Sequence, residues 1–232
     1  MKVASWNVAR RNSWREQVRL KGFPDVLLLQ EVQDPTGLEV PGMWSLGAEI
    51  DERGRRETWG NAIVSKFPLT PVQLDSEYKG SLLAATVNLP DGRLMGLVNI
   101  YGLLERSPKN PDVKYVHFGV HRMLSDVGFW LAAAQGPYVD GFIVAGDFNK
   151  DRAMDGGTSK RTGRQIASNI FNRFGDFDMH EVEPPLGITY RHSSSKSTWH
   201  LDHFFISSAL QESSAMFDYR SMNPSFGLSD HM

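Results

Sequence analysis

Two apolar runs of strand length constrain this chain most. Val26-Leu27-Leu28-Leu29 and Phe142-Ile143-Val144-Ala145 show no alternation of polar and apolar residues, as expected of strands covered on both faces. Polar side chains follow each run at once: Gln30-Glu31 after the first, and Asp147 and Asn149, within Gly146-Asp147-Phe148-Asn149, after the second. A carboxylate or amide at the end of a doubly covered strand is costly to bury without a partner. The two strands therefore point to a layered core with chemistry at one of its edges.

The rest of the chain supplies the layers. Runs over 3–8, 25–32, 61–65, 81–89, 93–101, 141–148 and 200–207 read as strands. Leu89-Pro90-Asp91-Gly92 carries turn chemistry and joins two of them as a hairpin. Three segments read as helices. Ser13-Trp14-Arg15-Glu16 is a capping-box pattern, with Gly22 and Pro24 as a stop. Residues 113–134 hold Val116, Val120, Leu124, Val127 and Leu131 at three- and four-residue spacing, and residues 161–174 hold Ile166, Ile170, Phe171 and Phe174. Strands outnumber helices and two helices lie between strands, so the expectation is an α/β fold with sheets inside helical layers. No repeat or linker divides the chain, and a single domain over 1–232 is expected.

Composition bounds the function. The 232 residues are 41% hydrophobic and 22% charged, ordinary for one globular domain. No run approaches the roughly 20 apolar residues of a membrane span, and no amphipathic membrane-binding stretch is evident, so no stable membrane association is expected. The first residues lead straight into a strand and lack the apolar region of a signal peptide. With no cysteine, disulfides, thiolate catalysis and sulfur-based zinc sites are excluded. A cytoplasmic location is the expectation. The net charge of −2 and pI of about 6.4 are unlike a dedicated non-specific nucleic-acid binder, which is usually basic.

Asn7 ends the first strand, Glu31 the second, and Asp147 and Asn149 the strand at 141–148. Asp202 lies near the start of another, and Asp230-His231 falls at the end. Each has an ordinary structural use on its own: a turn, a solvated strand end, a surface acid. Converging at one edge, they make an oxygen-rich pocket suited to a hard cation such as Mg²⁺ or Mn²⁺.

In this order the sequence resembles the endonuclease/exonuclease/phosphatase superfamily, the DNase I-like phosphoesterases. The matching pieces are Ser5-Trp6-Asn7, Leu29-Gln30-Glu31, Gly60-Asn61-Ala62-Ile63-Val64-Ser65-Lys66-Phe67-Pro68-Leu69, Val98-Asn99-Ile100-Tyr101, Gly146-Asp147-Phe148-Asn149, Leu201-Asp202-His203-Phe204-Phe205 and Ser229-Asp230-His231. The resemblance implies a four-layer sandwich of two mixed β-sheets flanked by helices, and Mg²⁺- or Mn²⁺-dependent hydrolysis of phosphate esters. It places Glu31, Asn7 and Asp230 at the metal and pairs Asp202 with His231. It gives Asp147 and Asn149 the attacking water and Tyr101 a phosphate contact. Two departures stand out. Asn7-Val8-Ala9 replaces the Asn-x-Asp of exonuclease III-like abasic-site enzymes, and Asn61 replaces a small or apolar residue. Family members usually continue into a further strand after the Ser-Asp-His piece, whereas this sequence closes at Met232.

Substrate choice falls to loops. Residues 150–164 hold five basic residues (Lys150, Arg152, Lys160, Arg161, Arg164) against two acids (Asp151, Asp155). Arg191 lies in a second polar stretch, and Arg106 and Lys109 in a third. Lys150, Arg152 and Arg191 are the candidate substrate contacts. Trp14, Trp44, Trp59 and Trp199 serve either the core or base stacking. A DNA or RNA nuclease is the first reading. A phosphatase or phosphodiesterase of a small molecule, phosphoinositide or phospholipid is the alternative, and a binding module without catalysis is the third.

Overall fold

In the computed structural model the described residues are 1–22, 24–34, 39–47, 58–103, 105–106, 114–115, 117–134, 138–153, 166–182, 188–191 and 197–211. Chain order gives β1 (Val3–Asn7), α1 (Trp14–Lys21), β2 (Val26–Val32), β3 (Gly42–Leu46), β4 (Gly60–Ser65), β5 (Leu69–Val72), β6 (Leu82–Asn88), β7 (Leu94–Tyr101), β8 (Glu105–Arg106) and β9 (Lys114–Tyr115). It continues with α2 (His117–Ala134), β10 (Gly141–Asp147), α3 (Ile166–Gly175), β11 (Met179–Glu181), β12 (Tyr190–Arg191), β13 (Thr198–Trp199), β14 (Asp202–Ser207) and α4 (Ser208–Gln211).

Two mixed sheets form the centre. One runs β1-β2-β4-β3, the other β11-β14-β10-β7-β6-β5. β1 is parallel to β2, and β10 is parallel to β7. The remaining pairings within these two sheets are antiparallel.

Side-chain alternation sorts the core into three interfaces and so defines four layers. Trp6, Val8, Leu27 and Leu29 face outward and pack with Trp14 and Val18 of α1. Val26, Leu28, Ile63, Leu97, Ile143, Ala145 and Ile206 fill the space between the sheets. Val98, Ile100, Phe142, Val144 and Phe205 face the other way. They meet Val120, Leu124, Val127 and Leu131 of α2 and Ile170, Phe171 and Phe174 of α3. From Val120 on, the helical spacing read from the sequence is the spacing that covers the sheet, but the helix expected over 113–134 begins only at His117, and Lys114–Tyr115 pair as β9 instead.

The expected strands all form, within a residue or two of their predicted bounds. The β6–β7 hairpin closes through Leu89 N–H donating to the Arg93 carbonyl (2.8 Å), with Gly92 at φ +88°. The capping box at α1 does not form. Ser13 is itself helical in backbone angle and makes no side-chain cap bond, and burial of Trp14 fixes the helix instead. Residues 161–165, expected to open α3, lie outside the described residues. Among the described residues, no helix is long and apolar enough to cross a membrane.

Asn61 has a clear place. It is fully buried and its Nδ2 donates to the carbonyls of Ser81 (2.9 Å) and Asn99 (3.3 Å), tying one sheet to the other.

Candidate active site

Both sheets end in polar side chains on the side where they face each other. In β10 the inward positions are Ile143, Ala145 and Asp147. Asp147 is aligned with Tyr101 of β7 on one side and Asp202 of β14 on the other. Across the gap, Asn7 ends β1 beside Gln30 of β2.

Alternation alone would point Glu31 outward, toward α1. The pairing of β2 with β4 slips between Leu29 and Val32, where three steps on β2 oppose two on β4. This is a β-bulge. Glu31 takes φ +53° there, a conformation costly for a residue other than glycine. Its side chain swings to the inner edge, while Val32 returns to the outward cluster.

A buried amide network holds the bulge. Asn99, on the facing sheet, donates from Nδ2 to the carbonyls of Leu29 and Ala62 (2.9 Å each). These two residues form the last regular pair before the slip. Gln30 Nε2 donates to Asn99 Oδ1 (2.7 Å) and Ser5 Oγ (3.1 Å). The sequence marked Gln30 and Asn99 only as motif members; that they are fully buried and orient Glu31 is visible only in three dimensions.

Glu31 and Asp147 meet at Asn7. The Asn7 Nδ2 donates to Glu31 Oε1 (3.0 Å) and to Asp147 Oδ2 (2.8 Å). Its oxygen accepts from Ala9 N–H (2.9 Å), which fixes the amide's orientation. Asn7 is fully buried and Asp147 is 1% exposed. Asp147 Oδ1 accepts from Asn149 N–H (2.7 Å), and Asn149 Nδ2 donates to the Gly102 carbonyl (3.0 Å). The glycine before Asp147 is required. Gly146 has φ +148°, and a Cβ there would lie 1.9 Å from the Ile100 carbonyl oxygen.

The Tyr101 hydroxyl donates to Glu31. Burial, reinforced by the charges of Glu31 and Asp147, holds its phenol well above the ordinary range. It is therefore a protonated donor at neutral pH. Two neighbours complete this rim. Arg10 Nε donates to Glu31 Oε2 (3.0 Å), and its guanidinium lies 4.6 Å over the ring of Trp59. Trp59 meets Tyr101 edge-on at 5.0 Å. Arg10 was not singled out from the sequence. Its signal is the left-handed backbone of Ala9 and Arg10 after β1, which a sequence does not display.

The other candidates are placed as follows. Asp202 N–H donates to Thr189 Oγ1 (2.9 Å). The Lys150 carbonyl accepts from His203 Nε2 (2.7 Å). Arg152 Nη2 donates to Glu181 Oε2 (2.5 Å) and lies 4.5 Å over Phe171. Arg191 is exposed on β12. Asp230 and His231 lie outside the described residues. Of the four tryptophans, Trp14 is fully buried, Trp59 is 4% exposed and Trp44 is 36% exposed; Trp199 is half-buried.

The gathered groups are chemically uniform. Two carboxylates, a phenol and two carboxamides converge, with no sulfur. Such oxygen donors suit a hard divalent cation, and Glu31 and Asp147, joined through the Asn7 Nδ2, are the two anionic groups that could hold one.

Two mixed sheets with helices outside and polar groups at their shared edge make a DNase I-like fold. Solved structures agree. A 3′ phosphatase, NExo, from Neisseria, bound to a product DNA hairpin, aligns with a TM-score of 0.66 at 20% identity, covering 100% of this chain and 96% of that one. An AP endonuclease from Archaeoglobus fulgidus aligns at 0.65 and 19% identity, again covering 100% and 96%. ANGEL2, a 2′,3′-cyclic phosphatase, aligns at 0.59 and 15% identity, covering 89% of this chain and 82% of that one. No curated protein matches the chain. The model of the Endonuclease/Exonuclease/phosphatase family matches residues 4–231, and the chain belongs to that family.

Proposed function

We propose that this protein is a nuclease that hydrolyses phosphodiester bonds of DNA or RNA with Mg²⁺ or Mn²⁺. One observation carries the reading: carboxylates from two different sheets, Glu31 and Asp147, converge on the same Asn7 amide group. Two acids brought together beside a buried edge disfavour each other's charge, and a bound cation relieves that repulsion.

Glu31 would hold the cation with Asn7 alongside, and by the family resemblance Asp230 would be a further ligand. Bound there, the cation supplies positive charge to the phosphate oxygens and the leaving oxygen. The chain's own residues do the remaining work. Asp147, fixed at both oxygens, accepts the proton of the attacking water, a contribution of about 10²–10⁴-fold for a well-placed base. Asn149 orients Asp147 through its backbone N–H. Tyr101, its one O–H turned from Glu31 toward the substrate, would donate a hydrogen bond to a phosphate oxygen in the transition state. By the family resemblance, Asp202 and His231 would act as an acid–histidine pair.

Nucleic acid is favoured by the rim. Arg10, half-exposed beside Glu31, sets a cation at the site edge that can meet a phosphate of a polynucleotide. Lys150, next to the Asp147–Asn149 motif, and exposed Arg191 are the further candidate phosphate contacts. The test is a substrate panel of single- and double-stranded DNA, RNA, and small phosphomonoesters and cyclic phosphates, each with Mg²⁺ and with EDTA. The expected result is metal-dependent cleavage of a polynucleotide, abolished by EDTA and restored by Mg²⁺ or Mn²⁺. Turnover confined to small phosphoesters, or cleavage that survives thorough chelation, would overturn it.

A further inference from the structure

A second cluster lies behind the site, on the opposite face of the same sheet. β14 alternates, so Asp202 faces the gap between sheets while His203 faces α3, its ring 4.3 Å from that of Phe171. Glu181, His200 and His203 each offer one ligand atom within 4.8 Å of the others.

We propose that Glu181, His200 and His203 form a site for a borderline transition cation of the Zn²⁺ class, separate from the oxygen-rich edge. The donor set differs from that edge. Two imidazoles and one carboxylate suit Zn²⁺ and its neighbours, whereas Mg²⁺ prefers oxygen alone. Three protein ligands with one position left open is an established zinc arrangement.

The geometry of His203 supports this. Its Nε2 faces a backbone carbonyl, that of Lys150, at 2.7 Å. A carbonyl only accepts, so Nε2 carries the proton. The other nitrogen, Nδ1, points at Glu181 Oε1, 2.5 Å away. Donation of the remote N–H to a carbonyl is how metal-bound histidines are held. The cation would enter between Nδ1 and Oε1 and displace any proton shared there.

His200 completes the set. Its ring stacks on His203 at 4.3 Å and 28°. Its Nε2 is buried and makes no hydrogen bond, the state of a nitrogen waiting for an acceptor-binding partner. Arg152 holds Oε2 (2.5 Å) and leaves Oε1 to the cation. Bonds of about 2 Å set tetrahedral ligand atoms about 3.3 Å apart, so Nδ1 and Oε1, now 2.5 Å apart, would part by just under 1 Å while half-buried His200 draws in from within 4.8 Å.

Occupied, the site would staple β11, the start of β14 and the loop at Lys150 directly behind Asp147 and Asp202. The test titrates the chelator-treated full-length protein with Zn²⁺ alone against a chromophoric chelator, then with Co²⁺ alone, whose visible bands report ligand geometry. His200→Asn, Glu181→Gln and Glu31→Gln are compared with the wild type. His203 is left intact because it is buried under Phe171. The expected result is one Zn²⁺ equivalent in the wild type and in Glu31→Gln, weakened at least about 100-fold in both His200→Asn and Glu181→Gln. Zn²⁺ should also raise the Tm of the wild type and of Glu31→Gln but not that of the other two. Any other pattern overturns the proposal: no equivalent in the wild type, loss in only one of the two variants, or loss in Glu31→Gln.

Discussion

Asn99→Ala tests how the fold sets Glu31. Asn99 is fully buried between the sheets and makes three hydrogen bonds: to the carbonyls of Leu29 and Ala62 and from Gln30. Each such bond is worth about 1–1.5 kcal/mol net, and none of the three partners can turn to solvent. The substitution should therefore cost about 3–4.5 kcal/mol, a large share of the roughly 5–15 kcal/mol a domain possesses. The loss falls at the last regular pair before the bulge, so Glu31 should relax from its left-handed backbone. Urea unfolding followed by tryptophan fluorescence measures the first effect. Mg²⁺-dependent turnover of the folded fraction, at low temperature, measures the second. A stability loss below about 1 kcal/mol with unchanged turnover would refute the role assigned to this network.

Further outcomes follow from individual contacts. Gly146→Ala forces a Cβ into the Ile100 carbonyl and should cost about 2–4 kcal/mol, read by thermal melting. Glu181 has its folded pKa depressed from 4.5 to about 2. Its contribution is therefore complete above pH 4.5 and is lost as pH falls toward 2; acid titration of Glu181→Gln should show a shallower decline than the wild type over that window. Arg10→Ala removes a half-exposed ion pair with Glu31, so Tm should move by no more than about 2–4 °C. Its effect should appear instead as a raised KM for a polynucleotide.

Much of this molecule was legible in its sequence. The uninterrupted apolar runs at 26–29 and 142–145 became the inner strands β2 and β10, because a strand covered on both faces has no place for alternation. The three- and four-residue spacing in α2 became its contact with the sheet. The end-of-strand positions of Asn7, Glu31 and Asp147 placed them together, because both sheets present the same edge. Other features depend on events that residue order does not record. β3, β5 and β11 are short or half-exposed and carry little pattern. The Ser13 capping signal yielded to the burial of Trp14. The turn of Glu31 required a bulge held by Asn99, which binds the Leu29 carbonyl from 70 positions away in sequence. The closeness of Glu181 to His200 and His203 depends on β11 pairing with β14, which no local spacing reveals.

The most direct measurement is Mn²⁺ binding by electron paramagnetic resonance in the wild type, Glu31→Gln and Asp147→Asn, with Mg²⁺-dependent phosphodiester cleavage alongside. These variants alter two residues on different sheets and preserve their shapes. The account predicts that both weaken the same Mn²⁺ site by more than about tenfold and lose cleavage, while melting like the wild type. Wild-type Mn²⁺ affinity and wild-type cleavage in either variant would contradict it.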